Sequence, residues 1–144
     1  TFIDCTFGQG GYSNKILEKV QCNIISIDRD PDSLNYALKL KKKYPDNFHF
    51  EIEKFSNVEN LLKKKKIIKL DGILLDLGIS NTQLNNPERG FSFLNDGPLD
   101  MRMNKKSEGI TAEKVINEFS EKKLSEIFYF HSYSLISLLV LKLH

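Results

Sequence analysis

An α/β fold built around a parallel sheet is the class this sequence predicts, and three observations predict it. Short apolar runs alternate with amphipathic stretches over roughly the first half of the 144-residue chain, the rhythm of repeated β–α units. The first apolar run passes directly into Gly8-Gln9-Gly10-Gly11, as a tight strand-to-helix turn requires. The last run, Ile73-Leu74-Leu75, is continuous rather than alternating, which suits a central parallel strand covered on both faces.

Each element has its own local reason. Phe2-Ile3-Asp4-Cys5 reads as the first strand, and Ser13 to Val20 as a helix with Ile16, Leu17 and Val20 on one face. Asn23 to Ile27 returns as the second strand, closed by Asp28. Asp30 followed by Pro31 starts the second helix, because aspartate caps free N–H groups and proline suits the first helical position. That helix runs to about Tyr44. Phe48 to Ile52 is the third strand, Ser56-Asn57-Val58-Glu59 a capping box for a third helix ending at Lys63 to Lys66, and Asp71 to Leu77 the fourth strand. Asp76 ends that strand, which the usual doubly wound order sets beside the first.

From Gly78 to Gly109 the sequence is rich in Asn, Pro, Gly and Asp and keeps no period. An irregular stretch of this length is characteristic of binding loops and lids. Beyond it, Thr111 and Ser120 read as caps of two short helices, with apolar pairs Ile110/Val115 and Phe119/Leu124 as staples.

Composition excludes several classes. A 40% hydrophobic content allows one globular core, and a net charge of +2 does not by itself announce a nucleic-acid binder. Cys5 and Cys22 lie in apolar runs with no CxxC spacing and no nearby histidine, so neither a metal centre nor a disulfide framework is expected, and a reducing cytoplasm is. The apolar stretch Leu135 to Leu143 falls short of the roughly 20 residues needed to span a bilayer, so a soluble protein without membrane contact is expected. The chain begins at Thr1, inside a predicted strand, so a preceding segment is expected.

Four features point to chemistry. The glycine turn lets backbone approach a ligand closely, although a tight turn without ligand has the same signature. Asp28, at the end of the second strand, suits a carboxylate that accepts from both hydroxyls of an adenosyl ribose. NAD and S-adenosylmethionine both offer that diol. The spacing leans away from a dinucleotide, because Ser13 stands where the third glycine of Gly-x-Gly-x-x-Gly would be. Phe55 precedes the third helix without a staple partner, since Asn60 holds that position, and is available to an adenine ring or to the core. Asp76 would face the crevice at the strand ends.

With the segment from Asp71 to Met103, notably Glu88-Arg89-Gly90-Phe91-Ser92-Phe93 and Asp96-Gly97-Pro98-Leu99-Asp100-Met101-Arg102-Met103, the chain resembles the MraW (RsmH) family of 16S ribosomal RNA cytosine-N4 methyltransferases. The glycine loop and Ile27-Asp28-Arg29-Asp30-Pro31 belong to the same resemblance, which extends from Thr1 to about Phe130. It implies a Rossmann-like S-adenosylmethionine-dependent methyltransferase fold, with a partial cofactor domain over 1–104 and the beginning of a small helical insertion over 105–130. It also implies cofactor contacts at Gly10, Gly11, Tyr12, Asp28, Phe55, Asp76 and Gln83, and a partner, 16S rRNA in the small ribosomal subunit. Tyr12 stands for the family's usual histidine, and Asn81-Thr82 for Ser-Pro, which is expected to loosen the loop before Gln83. After Phe130 the chain departs from the family, and residues 131–144 read as an atypical tail of the kind a frameshift or truncated reading frame produces.

In that setting Asp76 is the first choice to accept a hydrogen bond from the cytosine amine, and Asp100 the second. Arg89 and Arg102 are the expected RNA contacts, with Lys41 to Lys43 and Lys63 to Lys66 adding phosphate attraction unless they are solvated helix ends. The rival readings are an NAD-binding oxidoreductase and a non-catalytic remnant.

Overall fold

Four strands form the predicted sheet: β1 (Phe2–Asp4), β2 (Ile24–Asp28), β3 (Phe48–Ile52) and β4 (Gly72–Leu74). The computed structural model describes residues 1–106 and 109–130; the tail expected over 131–144 lies outside the described residues. All pairings are parallel, in the order β3-β2-β1-β4, with Ile3 paired to Ile25 on one side and to Ile73 on the other. The chain is an α/β protein with the expected doubly wound order, so β4 does lie beside β1.

Helices α1 (Gly11–Lys19), α2 (Leu34–Lys43) and α3 (Val58–Lys64) make the crossovers. Right-handed connections place α1 and α2 on one face of the sheet and α3 on the other, and two buried clusters mark those faces. Phe7, Ile24, Ala37, Leu40 and Phe48 pack under α1 and α2, whereas Ile3, Cys5, Ile25, Ile27 and Leu61 pack under α3. Neighbours Ile24 and Ile25 thus serve opposite faces, as the two-residue strand period demands. Each buried side chain of this size contributes about 1.5–3 kcal/mol.

Three local expectations are corrected. β4 is not covered on both faces: Ile73 is 59% exposed, and β4 is one of the two edge strands among the described residues. A continuous apolar run states what a strand is built to bury, not what lies beside it. Ser56 is not a cap, because it sits inside a 3-10 turn (Phe55–Asn57) that precedes α3, and Asn57 at the start of α3 makes no side-chain cap bond. Glu53 instead ties the entry, accepting from Lys54 N–H (2.8 Å) and Asn57 Nδ2 (2.9 Å). The long loop also holds structure, α4 (Asn81–Asn85) and a 3-10 turn (Pro87–Arg89). Here the true capping box is found, with Ser80 accepting from Gln83 N–H and Gln83 Oε1 accepting from Ser80 N–H. Past the loop, Thr111 caps α5 (Ala112–Glu118) as expected, and residues 121–130 are helical behind Ser120.

Ser13, where a dinucleotide fold has glycine, is fully buried and donates to Asp4 Oδ2 (2.6 Å), with its hydroxyl also 2.8 Å from that of Ser26. Asp4 Oδ1 accepts Thr6 N–H at 3.1 Å. Burial pushes the Asp4 carboxyl above its ordinary range, against these two donors. The folded chain therefore holds that proton more tightly than the unfolded chain. The stability this gives is greatest at low pH and is lost as pH rises through the folded value. Asparagine keeps an acceptor for Thr6, and the serine hydroxyls can rotate to meet its amide. Asp4→Asn is expected to gain stability on the parent chain as pH is raised from about 4 to about 7. Denaturant unfolding at both values checks this, and a difference indifferent to pH would contradict it.

Candidate functional site

A cavity of about 550 Å³ opens at the carboxyl ends of β1, β2 and β4. The strand order reverses between β1 and β4, and that switch point is where open α/β sheets bind ligands.

The glycine loop forms the first wall. Phe7 holds it down: its N–H donates to Ile27 O (3.1 Å), and its ring packs on Phe48 and Phe50 with centroids 5.6 and 5.0 Å away. Gly10 lies over that ring with φ 80°, and a Cβ there would sit 2.5 Å from it. Glycine is therefore demanded at this position by Phe7. Gly10 itself is buried, and its neighbours Gly8 and Gly11 stand on the lining of this cavity. Gly11 and the exposed Tyr12 open α1, which has neither a side-chain cap nor an acidic residue in its first turn.

Asp28 and Phe55 form the second wall. Asp28 Oδ2 accepts Gly8 N–H (2.6 Å) and Oδ1 accepts Asp30 N–H (2.9 Å). Each oxygen retains a further lone pair for a ligand. Burial pushes this carboxyl up as well, opposed by the Asp30 and Gly8 N–H groups. Phe55 is 45% exposed and lines the cavity rather than the core.

The third wall follows β4. Asp76 N–H donates to Thr6 Oγ1 (2.8 Å), which fixes the backbone across the β1/β4 gap while the carboxylate stays exposed on the lining. Gln83 also lines the cavity but is buried, its amide donating to Asp30 Oδ2 (2.6 Å). Thr82 does not loosen the loop: its hydroxyl accepts Gln9 Nε2 (2.9 Å) and reaches the Tyr36 hydroxyl (3.4 Å), tying α4 to the glycine loop and α2.

The structure does not bring the remaining expected residues to the cavity. Arg89 is 4% exposed and ion-paired with Asp30 and Asp32, so it offers nothing to RNA phosphates. Asp100 is buried off the cavity lining, where the Arg102 guanidinium holds its carboxyl down at about 2. It has no proton-accepting part there, and Arg102 is correspondingly engaged with Asp100 at 2.8 Å. Several lysines are likewise engaged locally: Lys41 with Phe48 O, Lys43 with Glu18, Lys63 with Glu59 and Lys65 with Glu51. Sequence reasoning missed Thr6, Phe7 and the second duty of Asp30. The aspartate's capping role was legible, but its buried partners were not.

Comparison with known proteins agrees with this architecture. A family model described as the MraW methylase family matches residues 1–136. The chain is 47% identical over 129 residues to the ribosomal RNA small subunit methyltransferase H of Rickettsia bellii (strain OSU 85-389), covering 90% of this chain and 41% of that protein. The same-named proteins of Rickettsia felis (strain ATCC VR-1525 / URRWXCal2) and Rickettsia akari (strain Hartford) are 46% and 45% identical over 128 residues, covering 89% of this chain and 40% of each relative. The chain thus spans about two fifths of the length of these curated relatives. With a family match over nearly its whole length, and the parallel sheet and switch-point cavity in place, the chain belongs to the MraW methylase family.

Proposed function

We propose that this chain is the cofactor-binding part of an S-adenosylmethionine-dependent methyltransferase acting on the exocyclic N4 amine of a cytosine in the 16S rRNA of the small ribosomal subunit. Residues 105–130 begin its helical insertion, and the cytoplasm is its place of work.

The charge of the cavity carries this reading. Asp28 and Asp76 line it with no cationic partner among the described residues, while Asp30 and Asp32 are paired with Arg89. Arg29 is the one basic residue on the described lining. Such a site attracts a singly positive sulfonium and repels the pyrophosphate of a dinucleotide. The residues present also fit the rest of the cofactor. Asp28 keeps acceptor capacity for a ribose diol, the exposed Phe55 ring suits adenine, and the uncapped start of α1 suits a carboxylate.

When bound, the cofactor supplies an electrophilic methyl group on sulfur. The protein's part is alignment, with the three walls holding the acceptor amine in line with that methyl. Asp76, exposed and anchored through its backbone to Thr6, accepts a hydrogen bond from the amine and then its proton. A cytosine must leave its stack to reach this depth. The relatives' names, which specify small-subunit ribosomal RNA, support the choice of acceptor.

Equilibrium titration tests the reading. S-adenosylmethionine is expected to bind in the micromolar range, with NAD at least about 100-fold weaker. Because the ionised Asp28 is the better acceptor and burial raises its pKa, affinity is expected to fall on acidification beginning above the ordinary aspartate range. Tighter binding of NAD would return the oxidoreductase reading, and binding of neither would favour the remnant.

A further inference from the structure

The Arg89 guanidinium sits at the centre of a buried network that the transfer chemistry leaves unused. Nη2 donates to Asp30 Oδ2 (2.8 Å) and to the carbonyl oxygens of Arg102 (3.2 Å) and Met103 (2.8 Å). Nη1 donates to Asp30 Oδ1 (3.3 Å) and to Asp32 Oδ2. Asp30 also accepts from Gln83 and gives its own N–H to Asp28, which accepts Gly8 N–H with its other oxygen. One continuous path of hydrogen bonds therefore runs from the glycine loop, through the carboxylate assigned to the ribose, to the segment between Pro87 and Met103. Met103, at its end, lines the cavity.

Burying two charges is expensive, and a buried pair adds little stability over an apolar replacement. What such a pair supplies here is geometry. Arg89 reaches across 59 residues to Asp30 and 14 to Met103, so three stretches remote in sequence meet on one rigid planar group. We infer that Arg89 is a positioning residue that fixes the Pro87–Met103 segment and the Asp28 turn in a single relation. Occupancy of Asp28 by the cofactor then orders the segment beside the acceptor's place. The inference rests on the cofactor reading above for its ligand, but the coupling itself is a property of the chain.

Amide hydrogen exchange of the full 144-residue chain tests it, in the parent, Arg89→Lys and Arg89→Met, with and without saturating S-adenosylmethionine. Without ligand, Arg89→Met is expected to speed exchange at Gly8 and Asp30, the two donors to Asp28, by at least about tenfold while β2 stays protected. Arg89→Lys, which keeps the charge but loses the fork, falls between. With ligand, the Met101 amide, which donates to Arg89 O, slows in the parent and not in Arg89→Met. Unchanged exchange at Gly8 and Asp30 in Arg89→Met, or ligand protection of Met101 retained there, overturns the coupling. If Arg89→Met loses β2 protection, the same amides in Arg89→Lys decide. A parent chain that binds no S-adenosylmethionine sinks the functional reading instead, and the ligand-free comparison still judges the coupling.

Discussion

Asp28→Ala is expected to weaken S-adenosylmethionine binding by about 100- to 1000-fold while the sheet stays folded. A hydrogen bond to a charged acceptor is worth about 1.5–3 kcal/mol, so two ribose bonds are worth about 3–6 kcal/mol, and the lower part of that range applies because water enters the truncated site and rehydrates the hydroxyls. The variant also strips Gly8 and Asp30 N–H of their acceptor, but both bonds are only partly buried. Water can replace them, so the loss falls on the ligand more than on the fold. Asp28→Asn is an informative companion, because its carboxamide has a single acceptor oxygen. It should bind with intermediate affinity. S-adenosylhomocysteine shares the ribose and lacks the sulfonium, so it should lose the ribose bonds but not the charge attraction, and weaken substantially but less than S-adenosylmethionine. Calorimetric titration of the three chains against both compounds supplies the comparison. Parental affinity in Asp28→Ala would remove the ribose from this position and leave only the cavity's shape in support.

Much of that site was open to reading from the chain alone, because it rests on short-range rules. A strand, a glycine turn and a carboxylate at the end of the next strand are spaced by covalent geometry, and the parallel order brings them together without further instruction. Asp28, Phe55, Asp76 and Tyr12 accordingly all reach the cavity. Arg89 was misassigned, and the buried hydrogen bond of Gln83, which does line the cavity, went unseen, because residue type and loop position carry no information about burial. Their decisive partner, Asp30, is 59 and 53 residues away. Asp100 failed for the opposite reason. Its partner Arg102 is two residues on, near enough to suspect, but a guanidinium beside a carboxylate reads equally as a pair or as two separate functional groups until their orientation is known. Cap signatures show the same limit, since Ser56 and Ser80 both head the right pattern and only Ser80 has the extended backbone a cap needs.

Gly90→Ala is expected to unseat the Pro98–Met101 backbone at a cost of about 3 kcal/mol or more. Gly90 closes the 3-10 turn at Pro87–Arg89 with φ 75°, a conformation an alanine adopts only under strain. A Cβ there would also lie 2.4 Å from Pro98 O and 2.7 Å from Asp100 N. Both neighbours are backbone, so no side-chain rotation relieves the collision and the segment itself must move. It carries several dependants. Met101 N–H donates to Arg89 O, and the start of α5 is bonded through Ala112 N–H to Asp100 O and through Glu113 N–H to Leu99 O. The sheet has no share in these contacts, so unfolding is expected to be local. Proteolysis across 98–113 should accelerate by about two orders of magnitude while the sheet core resists as in the parent. Gly11→Ala is the matching control: a Cβ at Gly11 meets nothing within 4 Å and the residue opens α1, so resistance there should be unchanged or slightly raised. Should Gly90→Ala resist protease as the parent does, the close approach to Pro98 is relieved by a small shift, and the loop's order would then rest on the Arg89 network rather than on this turn.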